Sequence, residues 1–124
     1  MSMATKTVLI VEDDAPLQNS LQIYLTGQNF RILHAGSVDE AIGILQKNVP
    51  DIILLDLLLP GKRGTVLLQL LKEGGCCIPV IVITNTDAVG RRKECMQLGA
   101  RDYIIKSNTS LHELSGLIAQ YCAG

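Results

Sequence analysis

Tryptophan is absent from this chain, and one Phe and three Tyr are its whole aromatic content. A flavin carrier, which grips its ring system by stacking, would have few residues to build on. The four cysteines, Cys76, Cys77, Cys95 and Cys122, form no CxxC pair, and His34 and His112 lie far apart in sequence, so zinc-type spacing is excluded. Adjacent Cys76 and Cys77 are poorly placed to bridge each other, and no secretory pattern precedes the first apolar run. Reduced thiols and a cytoplasmic setting are expected. Long hydrophobic stretches are missing too: Ile52 to Leu55 and Ile78 to Ile83 are far too short to span a bilayer. Neither sign of charge dominates, with eleven Lys plus Arg against twelve Asp plus Glu. That balance gives no electrostatic ground for direct nucleic-acid or membrane-surface contact.

What is present is enough for one packed interior. Apolar residues make up 48% of the 124 positions and charged residues 19%, which predicts a single domain over residues 1–124. Short β-branched runs recur at Thr7–Val11, Phe30–His34, Asp51–Leu55, Val80–Ile83 and Arg101–Ile105. Most carry few polar residues, as strands do when both sheet faces are covered. Helical spacing fills the gaps. Leu17, Leu21, Tyr24 and Leu25 form one stripe behind Pro16, a residue suited to a first helical turn. Ala41, Ile42 and Leu45 form a second, after a capping-box pair of Ser37 and Glu40. Val66, Leu67, Leu70 and Leu71 predict a third helix, closed by Gly74-Gly75, and a thin stripe predicts a fourth from about Asp87 to Leu98. The fifth starts at Ser110, with Glu113 completing another capping box, and carries Leu114, Leu117, Ile118 and Tyr121. Such alternation calls for a parallel sheet with helices on both faces.

Ligands of open parallel sheets bind beyond the carboxyl ends of the strands. There the sequence places Glu12-Asp13-Asp14 after the first strand, Asp56 after the third, Thr84 after the fourth and Lys106 after the fifth. Two acid groups, a hydroxyl and an ammonium at one rim suit phosphoryl transfer onto a carboxylate. Mg²⁺ takes oxygen ligands, which Asp13 and Asp56 can supply, with Glu12 acting through water. Lys106 can pair with Asp56 and then with a phosphoryl oxygen, and Thr84 can donate a hydrogen bond to another. Each residue alone has a plainer reading. The acids before the first helix suit its dipole, Thr84 suits a strand end, and Lys106 suits a surface. Asp56, flanked by leucines, is harder to dismiss, because burying a lone acid is costly.

Five stretches in order resemble the receiver domain of two-component response regulators. They are Val8-Leu-Ile-Val-Glu-Asp-Asp14, Pro50-Asp-Ile-Ile-Leu-Leu-Asp56, Leu59-Pro-Gly61, Pro79-Val-Ile-Val-Ile-Thr84 and Gly99-Ala-Arg-Asp-Tyr-Ile-Ile-Lys106. The resemblance implies a flavodoxin-like, doubly wound α/β fold with five parallel strands in the order 2-1-3-4-5 and five helices. It implies Asp56 as phosphoacceptor and Asp13 as direct Mg²⁺ ligand, joined by Asp56, the backbone carbonyl of Leu58 and, through water, Glu12. It makes Thr84 and Lys106 the groups that read the phosphoryl, and Tyr103 the aromatic that follows Thr84 inward on phosphorylation. That movement would reshape the surface of the fourth helix, fifth strand and fifth helix. The implied donor is a phosphohistidine on a histidine kinase or phosphotransfer protein, and the implied listener a downstream protein or effector domain. Such a chain is not a turnover enzyme but an acceptor that catalyses its own phosphorylation and dephosphorylation. Pairing of two copies through the last helix is left open.

Three positions depart from the family pattern. Ser107 follows the lysine where Pro is usual, which predicts a trans Lys106–Ser107 peptide and a different loop. Asn85 replaces a small residue after Thr84 and is expected to narrow the approach to Asp56, and Lys62-Arg63 follows Gly61, read as two solvated cations. These departures keep a second reading in view, a degenerate receiver serving as an unphosphorylated interaction module. A haloacid dehalogenase-type phosphohydrolase needs a second Asp two residues after the first, where this chain has Leu58.

Overall fold

In the computed structural model, which describes residues 5–85 and 90–123, the alternation becomes five strands and five helices. β1 (Thr7–Val11), β2 (Arg31–Ala35), β3 (Ile52–Asp56), β4 (Val80–Thr84) and β5 (Asp102–Ile105) interleave with α1 (Ala15–Gly27), α2 (Val38–Leu45), α3 (Gly64–Glu73), α4 (Arg91–Gln97) and α5 (Leu111–Ala123). All pairings are parallel and the strand order is 2-1-3-4-5. β3 and β4 are buried along their whole length, which explains why their sequences are unbroken apolar runs rather than alternating ones.

The period-two alternation of the strands sorts the interior into two halves. Val8, Ile10, Ile52, Leu54, Ile81 and Ile83 pack under α1 and α5, against Leu21, Leu25, Leu114 and Ile118. Leu9, Val11, Ile53, Leu55, Val82 and Tyr103 pack under α2, α3 and α4. Both serines cap their helices, but only the second box is reciprocal, because the Glu40 carboxylate accepts the Gly36 amide at 3.2 Å. The Glu40 amide donates to Ser37 Oγ at 3.1 Å, and Ser110 and Glu113 exchange reciprocal bonds of 3.0 and 3.1 Å.

The third helix turns differently from its sequence stripe. Leu67 and Leu68 face the sheet, whereas Val66 and Leu70 are partly open to solvent. With the helix beginning at Gly64 against β3, a four-leucine cluster offers two apolar faces, and packing on the sheet chooses between them. The fourth helix is described over Arg91–Gln97; the expected start at Asp87 lies outside the described residues.

Candidate functional site

β1, β3 and β4 end at one rim, which carries the last residues of β3 and β4 together with the residues that follow β1 and β5. Asp56 is the final residue of β3, pairs in register with Ile83, and is 4% exposed. Thr84 ends β4, fully buried, and pairs with Ile105, so Lys106 follows directly beside it. Glu12 follows β1 and is also fully buried, while Asp13 is exposed at the mouth. None of the three acids lies in the first turn of α1; Asp14 holds the N-cap position without a side-chain bond, where the helix dipole still favours its charge, while Glu12 and Asp13 precede the helix.

Lys106 ties the rim together. Its ammonium donates to Glu12 Oε1 at 2.5 Å and to Asp56 Oδ2 at 3.1 Å. The sequence suggested Asp56 as its partner; Glu12 is the nearer one. The second oxygen of each acid is also engaged. Asp56 Oδ1 accepts from the Leu58 amide at 3.2 Å, and Glu12 Oε2 accepts from the Asp14 amide at 3.1 Å. Burial pushes the Glu12 carboxyl above its usual range, against the pull of the Lys106 ammonium and the Asp14 amide. For Lys106, burial is the largest influence and works downward. The bonds and charges of Glu12 and Asp56 together overcome it and hold the ammonium above its ordinary value.

The acids also pass a fit test for a hard cation. Glu12, Asp13 and Asp56 each offer a carboxylate oxygen, and the three atoms lie within 4.8 Å of one another. All-oxygen donors of this kind suit Mg²⁺ rather than a soft metal. The Leu58 backbone adjoins the same carboxylate through its amide, and its side chain points to solvent.

The family departures leave this arrangement standing. The Lys106–Ser107 peptide is trans, as expected, and the chain enters a short 3₁₀ turn over Lys106–Asn108. The lysine still reaches both acids. Asn85 is exposed. Lys62 is exposed as read, but it is paired at 2.7 Å with Asp39 of α2.

Two contributors were not singled out from sequence. Gly64 leaves no room for a side chain: a Cβ there would sit 2.4 Å from the Asp56 carbonyl oxygen. The signal was a second glycine three residues beyond Gly61. His34 Nε2 lies 2.9 Å from the Glu12 carbonyl oxygen and helps fix the turn after β1. A histidine in an apolar strand gave no hint of that use.

Tyr103 is buried on the α4 side of the sheet, and its register partner Val82 lies two residues before Thr84. Strand alternation therefore puts Thr84 and Tyr103 on one face. These residues divide between the two halves of the interior. Glu12 and Asp56 continue the strand alternation of the α1/α5 half, and Thr84 and Tyr103 continue that of the α4 half.

Comparison with known proteins agrees with this geometry. The family profile described as response regulator receiver domain matches residues 8–118, and the chain belongs to that family. The phosphate regulon transcriptional regulatory protein PhoB of Pseudomonas aeruginosa is 34% identical over 106 residues, covering 84% of this chain and 46% of that protein. The chain thus spans about half the length of such relatives. The BeF3-activated N-terminal receiver domain of Klebsiella pneumoniae RstA superposes with a TM-score of 0.88 at 27% identity, covering 96% of this chain and all of that one (100%). The receiver domain of the Pseudomonas aeruginosa sensor histidine kinase PA1611, whose structure holds a magnesium ion in the active-site cleft, gives 0.86 at 25% identity, covering 98% of this chain and 100% of its own. The fold is the flavodoxin-like receiver fold, and no helix among the described residues is long and apolar enough to cross a membrane.

Proposed function

We propose that this chain accepts a phosphoryl group on Asp56 from a phosphohistidine of a histidine kinase or phosphotransfer protein, with Mg²⁺ as its cofactor. The observation that carries the reading is the buried rim itself, where one ammonium bridges two acids beside a third. A carboxylate oxygen of Asp56 attacks phosphorus, the P–N bond breaks, and the electron pair leaves with the imidazole. Asp13, Asp56, the Leu58 carbonyl and, through water, Glu12 would hold the metal. Once bound, Mg²⁺ supplies charge neutralisation between the phosphoryl oxygens and the acids. Lys106 moves its bond from Asp56 to a phosphoryl oxygen while keeping Glu12, and Thr84 donates its hydroxyl to another. Tyr103 shares the Thr84 face and follows it, reshaping the surface of α4, β5 and α5. Loss of the phosphoryl group to water is self-catalysed at the same rim, so the domain is its own catalyst and not a turnover enzyme.

Several relatives are transcriptional regulators about twice this length, so the output passes to a downstream protein or effector region. The receiver itself, with its even charge, makes its contacts with protein. The test is transfer from a labelled phosphohistidine donor to wild type and Asp56→Asn, with and without Mg²⁺. Label should reach wild type only, and only with Mg²⁺. Equal labelling of Asp56→Asn would move the acceptor elsewhere, and an unlabelled wild type would favour an interaction module.

A further inference from the structure

β5 is an edge strand of the sheet, with no strand beyond it among the described residues. Edges of this kind need cover. Arg92, in the first turn of α4, lies over it: one guanidinium nitrogen donates to the Tyr103 carbonyl oxygen at 3.0 Å. The same guanidinium sits 5.1 Å from the centroid of the Tyr103 ring, within range of attraction by the π face. One side chain therefore grips both the backbone and the ring of a single residue. The neighbouring Arg91 instead pairs with Glu94 on the surface at 3.0 Å. The grip also crosses from helix to strand where the helix is weakest. α4 has seven residues, and its N-cap is Gly90, which has no side chain to cap with.

We propose that Arg92 is a positioning residue that clasps Tyr103 in its buried setting and thereby biases the receiver toward the inward arrangement. The consequence for signalling rests on the phosphoacceptor reading above; the clasp does not. If the inward arrangement is the one a bound phosphoryl favours, removing the clasp depopulates it and weakens every ligand that selects it. Coupling of this kind typically changes affinity by roughly 5–150-fold, and a single surface-anchored residue belongs near the low end.

The experiment has two arms on the full chain. The first follows the Tyr103 ring by NMR without ligand in wild type, Arg92→Ala, Arg92→Lys and Arg91→Ala. The second titrates beryllofluoride in the presence of Mg²⁺. Arg92→Ala should shift or broaden the ring signals and bind beryllofluoride about tenfold more weakly. Arg92→Lys, which keeps the charge but loses the planar fork, should fall between. Arg91→Ala should match wild type in both arms. Ring signals unchanged in Arg92→Ala overturn the clasp. Beryllofluoride affinity within twofold of wild type in that variant overturns the bias toward the inward arrangement. A wild type that ignores beryllofluoride defeats the phosphoacceptor reading instead, and the ring signals still decide the clasp. Should Arg92→Ala fail to fold, Arg92→Lys carries both arms.

Discussion

Two aspartates stand at opposite ends of the β3 segment, and they live differently. Asp51, just before the strand, is exposed and accepts the Thr7 amide at 2.7 Å, stitching the amino end of β3 to β1. Asp56, the last residue of the strand, is buried and shares an ammonium with Glu12. The first accepts one fixed backbone donor and is open to solvent. The second faces a neighbour acid at short range, held in place by a lysine that can exchange partners. Residue type is common to both, so it is the rim of the sheet that ties one to a backbone amide and sets the other beside an acid and an ammonium, as the proposed acceptor requires. In a parallel sheet the carboxyl ends open onto loops that deliver side chains, and the amino ends are closed by short backbone ties such as Asp51 to Thr7 and Arg101 to Val80.

The comparison breaks most sharply under matched substitutions. Asp56→Asn should lose all detectable phosphotransfer, because an amide is no nucleophile for phosphorus. Asp51→Asn keeps an oxygen for the Thr7 amide and should leave phosphotransfer within twofold of wild type, measured with the same labelled donor. Stability gives the next effect. Lys106→Met leaves Glu12 and Asp56 facing each other without a cation, and breaking a buried pair from one side costs about 3–5 kcal/mol. With the lysine partly open to solvent, a loss of about 3 kcal/mol in urea unfolding is expected, with part of it recovered on adding Mg²⁺. A loss below about 1 kcal/mol would mean that the rim does not depend on the ammonium.

A smaller effect tests the floor under Asp56. At Gly64 a Cβ would meet the Asp56 carbonyl at 2.4 Å and the Leu57 Cα at 2.9 Å, both backbone atoms that cannot rotate away. Gly64→Ala should cost about 1–3 kcal/mol and slow phosphotransfer through displacement of Asp56. Gly43, inside α2 with open space around it, provides the contrast. There Gly43→Ala should stabilise by about 0.4–1 kcal/mol, with transfer unchanged.

The layout of this rim was readable before any coordinates because every signal was local. Strand runs, capping boxes and the carboxyl-end positions of Glu12, Asp56, Thr84 and Lys106 each follow from a few neighbouring residues. What could not be read depended on residues distant in sequence. The preference of Lys106 for Glu12, 94 positions away, is set by how β1 and β5 sit across the sheet. The need for glycine at position 64 comes from the approach of its own backbone to Asp56. The choice of Leu68 over Leu70 for the core of α3 was likewise made by the sheet, since both fit a helical stripe. Arg92 looked like one cation in a polar run, and only the packing of α4 on β5 gives it a partner.

The smallest expected effect lies at the amino rim. Cys76 and Cys77 are exposed there after α3, bordering an open depression of about 620 Å³ that Val49 and Pro79 also line. Cys95 and Cys122 are buried, and burial pushes both thiols up, aided by Glu94 in the first case and Asp51 in the second. Thiolate is the reactive form, so exposure and ionisation act in the same direction. A disulfide reagent at mildly alkaline pH should therefore modify Cys76 and Cys77 quickly and the other two only as fast as the chain unfolds. Because the modified rim is the one opposite Asp56, doubly labelled protein should bind beryllofluoride and Mg²⁺ within twofold of unlabelled protein. Four thiols reacting in one phase would show that the interior opens readily. A labelled chain that no longer binds would show that the two ends of β3 are coupled, and that the contrast between Asp51 and Asp56 is not confined to their own surroundings.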